Sequence, residues 1–212
     1  MYAGRAMSEA ATLPPRRVST DDRRAEIAAA ARALIVEKGV EGLRTRDIAE
    51  RVGINVATLH YHVPSKDALI ELVAASLIQD FRNQHVARPR EHLSAREQLD
   101  LEFVDFRELA EDRPEVMLVF SELIERARRD ERIAATIMPL RRSWRQAIVE
   151  LLGAGKRDGD YRADLDPEAF AGILISALVG FCRTRMREPG AYDRLVAELQ
   201  RAIRNPDSAH KD

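Results

Sequence analysis

The stretch Thr45-Arg46-Asp47-Ile48-Ala49-Glu50-Arg51-Val52-Gly53-Ile54-Asn55-Val56-Ala57-Thr58-Leu59-His60-Tyr61-His62-Val63 decides how this chain is read. Ile48, Ala49 and Val52 recur at helical spacing and predict a short helix from Thr45 to Val52. Gly53 ends it, since glycine enters a left-handed turn without a Cβ clash. Asn55 suits the N-cap of a second short helix reaching about Val63, after which Pro64-Ser65 breaks and restarts the chain. Two short helices about a glycine turn have the spacing of a helix-turn-helix. In that arrangement the second helix enters the major groove of duplex DNA and the first lies across the backbone.

The outward residues of the second helix are then Val56, Ala57, Thr58, His60, Tyr61 and His62, with Lys66 opening the next helix. Thr58, His60 and Tyr61 can donate to phosphate oxygens and Lys66 adds charge. Val56 and Ala57 are small enough to meet a thymine methyl. Residues 1–66 hold 11 Lys and Arg against 8 Asp and Glu, net +3, while the other 146 hold 23 against 27, net −4. That asymmetry has the sign DNA requires at the N-terminal end.

Outward from the motif the pattern stays helical. Upstream, Ile27, Ala31, Leu34 and Ile35 mark a first helix between the capping candidates Ser19-Thr20 and Gly39. Downstream, Leu69, Leu72, Val73, Leu77 and Phe81 mark a fourth helix that Arg88-Pro89-Arg90 ends. Further stripes follow: Leu99 to Ala110, Met117 to Ala127 after Pro114, and Ile137 to Leu151, closed by Gly153 and Gly155. Asp166-Pro167 opens the most apolar helix, with Phe170, Ile173, Leu174, Ala177, Leu178 and Phe181, and a last helix runs from about Tyr192 to Arg204. No stretch alternates in the manner of a half-buried strand. The expectation is an all-α chain of about nine helices: a flexible arm over 1–20, a helix-turn-helix domain over 21–66 with the motif at about 44–63, a helical effector-binding and dimerisation domain over 67–206, and a tail over 207–212.

Composition narrows the function. The 212 residues are 45% apolar and 33% charged with a net charge of −1, so no field of the whole chain announces a partner. Cys182 is the sole cysteine, which excludes a disulfide framework and a multi-cysteine zinc site; at the end of an apolar stripe it reads as packing. The longest nearly apolar run, Ala169 to Cys182, is too short to span a bilayer, and no N-terminal apolar region resembles a leader, so a cytoplasmic protein without a membrane partner is expected. His60 and His62, two apart on a helix, point to different faces, and no metal or cofactor is expected. No phosphate loop, nucleophile elbow or His-Glu-x-x-His run is present, and the chain reads as a non-enzyme. Arg126, Arg128 and Arg129, followed by Asp130-Glu131, read as a solvated helix end, and Arg16-Arg17 as part of the arm.

Ile48-Ala49, Gly53-Ile54, Thr58-Leu59-His60-Tyr61-His62-Val63 and Ser65-Lys66-Asp67-Ala68-Leu69 together resemble the DNA-binding domain of the TetR family of transcriptional regulators. The resemblance covers roughly Arg23 to Leu69. It implies that Thr45 and Thr58 hold phosphates, that Lys66 anchors the backbone, and that Arg46 occupies a position from which some members reach a guanine edge. Val56 and Ala57 fall where members read bases, with Tyr61 beside them. His60 stands where tyrosine is more usual and Val63 where phenylalanine is. At the usual Ser or Thr cap of helix two this chain has Arg44: either Arg44 contacts phosphate while Thr45 takes the cap, or it does not, and the residues leave both open.

The resemblance further implies a homodimer reading a near-palindromic operator in double-stranded DNA, and a small-molecule effector that releases it. Phe103, Phe106, Met117, Phe120, Leu140 and Trp144 are the candidate effector contacts. Pocket polarity depends on which of His85, Arg107, Arg141 and Trp144 face inward. Phe170, Leu174, Ala177, Leu178, Phe181, Leu195, Leu199 and Ile203 are the candidate dimer seam. The reading from another class is a helical protein-interaction scaffold whose helix-turn-helix does not bind DNA.

Overall fold

The computed structural model describes residues 19–183 and 188–206. The expected arm, apart from Ser19 and Thr20, and the expected tail lie outside the described residues, as do Arg16 and Arg17. Among the described residues there are nine α-helices and no strand: α1 (Thr20–Lys38), α2 (Thr45–Val52), α3 (Val56–His62), α4 (Lys66–Ala87), α5 (Ala95–Arg107), α6 (Pro114–Ala127), α7 (Glu131–Asp158), α8 (Pro167–Arg183) and α9 (Ala191–Ile203).

Most helix starts are fixed by the residue just upstream. The side chains of Ser19, Asn55, Ser65, Ser94 and Asp130 each accept a backbone N–H from the first turn of α1, α3, α4, α5 and α7. Asp166 Oδ1 does the same for Glu168 and Ala169 in α8. These N–H groups have no partner inside the helix, and each cap contributes about 1 kcal/mol. Ser94 and Glu97 form a reciprocal capping box, a start signal that the apolar stripe from Leu99 does not reveal.

A head formed by α1, α2, α3 and the start of α4 buries Ile27, Ala31, Ile48, Leu59 and Leu69 in one core. Ile48 is fully buried, and truncating such a side chain to alanine costs roughly 2–5 kcal/mol. The far half of α4 packs among α6 and α7, while α7 also touches α5 and α8. Helix α4 therefore belongs to both parts of the molecule.

Three elements depart from the sequence expectation. The stripe from Leu99 to Ala110 is not one helix: α5 ends at Arg107 and a single π-type turn spans Glu108–Asp112 before Arg113 and Pro114 open α6. Helix α7 starts at Glu131, ahead of its apolar stripe, and runs past Gly153 and Gly155 to a left-handed Gly159 at φ 84°. Gly155 is there for packing, because a Cβ on it would fall 2.3 Å from Tyr161 Cε2. The third departure is one isolated antiparallel bridge, Tyr161 with Arg204, tying the turn after α7 to the end of α9.

Candidate nucleic-acid interface and ligand cavity

The head is held by ion pairs that consume part of its positive charge. Arg51 donates to both oxygens of Glu37 at 2.9 and 3.0 Å, and Lys38 to Asp47 at 2.7 Å, fixing α2 against the end of α1. These hydrogen bonds hold the carboxyls of Glu37 and Asp47 below their ordinary values. Arg24 donates to the carbonyl of His62 at 2.8 Å and fixes the end of α3. Arg44, Arg46 and Lys66 make no side-chain hydrogen bond or ion pair among the described residues, so their charge is free for a partner.

Gly53, at φ 73°, turns the chain from α2 into α3. Leu59 and Val63 bury one side of α3, and the opposite side presents Val56, Ala57, His60 and Tyr61 to solvent. Tyr61 is 81% exposed, a large aromatic ring that the described residues leave uncovered. Thr45, Thr58 and Lys66 are half-buried at the edges of this face.

Asn55, also a candidate DNA contact, takes the N-cap place its sequence position predicts, while His62 and the head of α2 stand differently from the expectation. The Asn55 side chain is engaged in the cap, its Oδ1 accepting from Thr58 N at 2.7 Å. His62 is turned toward the protein: it is half-buried, its ring meets Tyr61 edge-on at 5.1 Å, and its Nδ1 is buried without a partner. As the seventh residue of α3 it has rotated away from the exposed side. At the head of α2, Arg44 holds the N-cap position in extended conformation, and no side chain, neither Arg44 nor Thr45, caps the helix.

A cavity of about 540 Å³ opens between α4, α5, α6 and α7. Its apolar walls are Phe81, Phe106, Leu109, Met117, Phe120, Leu140 and Trp144. Phe106 and Trp144 stack with centroids 6.0 Å apart and planes within 6°, and Phe81 meets Phe120 edge-on. Phe103 is not in the wall: it is buried elsewhere, and its carbonyl accepts the Tyr192 hydroxyl at 2.6 Å. Of the polar candidates, His85, Arg141 and Trp144 line the cavity, whereas Arg107 lies over the Tyr192 ring and pairs with Asp193.

Beside the cavity lies a cluster that the sequence reading passed over. Arg88 pairs with Asp105 and Glu108, and Arg90, only 6% exposed, pairs with Glu102 and Asp105. Trp144 Nε1 donates to Glu102 at 3.2 Å. Glu102, Asp105, Phe106 and Leu109 fall at i, i+3, i+4 and i+7, which places two carboxylates on an apolar face and was the signal available.

The dimer seam needs the clearest correction. Phe170, Leu174, Leu178, Leu199 and Ile203 are buried in the chain's own core, and Ala177, Phe181 and Leu195 are half-buried. A fully buried side chain cannot also be offered to a partner. What α8 turns outward is Ile173, 56% exposed, among Gly172, Ser176, Ala177 and Gly180.

Residues 27–73, spanning α1 to the first half of α4, match the family model described as bacterial regulatory proteins, tetR family. Over those residues the chain is similar to the TetR family. The chain is 25% identical over 169 residues to the HTH-type transcriptional repressor KstR2 of Rhodococcus jostii, covering 79% of this chain and 81% of that one. A TetR-family regulator from Agrobacterium tumefaciens shares its fold, with TM-score 0.76, 20% identity and coverage of 88% of this chain and all of that one. So does a transcriptional regulator from Saccharomonospora viridis solved with choline, with TM-score 0.73, 23% identity and coverage of 85% and 95%. No helix among the described residues is long and apolar enough to cross a membrane, and no group of three or more His, Cys, Asp or Glu is placed to hold a metal ion.

Proposed function

We infer that the protein is a transcriptional repressor that binds operator DNA through α3 and is released by a small molecule entering the cavity beside α4. The observation that carries this reading is the exposed face of α3: Tyr61, Val56, Ala57 and His60 lie uncovered while Arg44, Arg46 and Lys66 are uncommitted at its borders. Arg44, Thr45, Thr58, His60 and Lys66 serve phosphates; Arg46, Val56, Ala57 and Tyr61 serve base edges. The similarity to a named repressor supports the sign of regulation. The action is binding, not catalysis.

One helix contacts too few bases for tight specific binding, so two copies read half-sites of a near-palindrome. The outward face of α8, with Ile173 and Ala177, supplies the seam. Residues 21–66 are the reading domain and 67–206 the effector and pairing domain. An effector that favours one separation of the two heads over another changes operator affinity through α4, which enters both domains.

Selection of bound duplexes from a random pool tests the reading. A recovered near-palindrome whose affinity falls steeply with salt supports it, since each phosphate contact contributes a slope of about −0.9. No duplex bound at any salt leaves the scaffold reading, which the family match already disfavours.

A further inference from the structure

We propose that the cavity takes an amphipathic anion, with an apolar body against Phe106, Phe120 and Trp144 and an acidic group held by Arg82, His85 and Arg141. The inference deepens the ligand-responsive reading and rests on it. A volume of about 540 Å³ suits a small organic molecule.

The charges in the wall decide the sign. Its two carboxylates are already engaged: Glu102 holds Arg90 and the Trp144 indole, and Asp105 holds Arg88 and Arg90. Its basic side chains are not. Arg82, His85 and Arg141 line the cavity, and their side chains make no hydrogen bond or ion pair among the described residues. Arg82 and His85 lie three apart on α4 and share a face; Arg141 approaches from α7. A free guanidinium offers paired N–H groups that match a carboxylate or phosphate.

A cationic ligand, such as the choline held by the Saccharomonospora viridis protein, finds the opposite here. The Phe106 and Trp144 faces are turned on each other, the carboxylates are neutralised by arginine, and two unpaired guanidiniums stand close by.

Trp144 is the only tryptophan in the chain, so its emission reports on this cavity. The full-length protein is titrated with decanoate, decan-1-ol and decyltrimethylammonium, which share a tail and differ in head charge. Decanoate is expected to bind about tenfold more tightly than decanol, with the ammonium weakest. In the doubly substituted R82Q/R141Q variant decanoate loses that advantage and decanol affinity stays within about twofold, which also shows that the cavity remains folded. Equal binding of all three, tightest binding by the ammonium, absent decanoate binding, or a decanoate preference that survives the double substitution each overturns the proposal. Operator release is measured alongside. Release by ligands without charge preference sinks the anion assignment and leaves ligand response standing. Arginine-dependent decanoate binding without any change in DNA affinity upholds the anion assignment and removes ligand response.

Discussion

Arg32 of α1 donates to Asp80 of α4 at 2.6 Å, and the same Asp80 oxygen lies 3.0 Å from Arg113 at the head of α6. One carboxylate thus joins the head that carries α2 and α3 to the helix that follows the π-type turn, and that turn supplies Leu109 to the cavity wall. Both ends of the connection are only partly exposed, so solvent screens it incompletely.

Asp80→Asn removes the shared charge and leaves two arginines facing each other. A loss of about 1–3 kcal/mol is expected in urea unfolding. The effector's influence on operator affinity should shrink as well. An unchanged unfolding midpoint together with unchanged coupling would show that the triad is idle.

Lys66→Ala should weaken binding to every duplex alike and lower the salt slope by about one phosphate. Substitution of Val56 by a bulkier residue should instead change which sequence is preferred at one position in each half-site. Affinities for a panel of single-base variants, measured at several salt concentrations, separate the two effects.

Gly155→Ala drives a methyl into the Tyr161 ring and should cost about 1–3 kcal/mol by overpacking. Gly153→Ala, two residues earlier in the same helix, meets nothing closer than the Arg157 side chain at 3.4 Å. It should be neutral or stabilise by up to about 1 kcal/mol, because alanine is the better helix former. Denaturant midpoints of the two variants moving together would show that the Tyr161 contact is not what fixes glycine at 155.

Alkaline pH should loosen the fold. Burial pushes the Cys182 thiol from 9.0 up to about 11, and pushes the phenols of Tyr161 and Tyr192 upward as well. Between the unfolded and folded values the unfolded chain binds fewer protons, so stability falls as pH rises through that window and is fully present below it. The ion pairs compensate little, since among the described salt bridges only Lys38–Asp47 uses a lysine and arginine stays charged. The melting temperature should therefore decline from about pH 9 upward, and Cys182→Ala should flatten the first part of that decline. A level profile between pH 8 and 10.5 would contradict the burial argument.

Local chemistry was legible in the sequence. Gly53 and Asn55 mark the turn and the cap because a left-handed glycine and a side-chain acceptor act over three or four residues. Features that depend on distant partners were not. Nothing around residue 155 indicates that Tyr161 will lie against it, and Arg88 looks like part of a breaker until α5 brings Asp105 and Glu108 to it. The apolar stripe of α8 contains Leu174 and Ile173 one residue apart, yet one faces the core and the other solvent. Periodicity gives a helix its apolar side, and only packing says how much of that side the chain itself uses. The same limit separated Phe106, in the cavity wall, from Phe103, which lies outside it.

Six of the nine described helices begin on a side chain that grips its own first turn. Helix boundaries written so locally do not shift when residues in the middle of a helix are exchanged. Such a frame can be refitted for a new chemical signal by altering the cavity wall alone, with the address it reads on the genome left as it was.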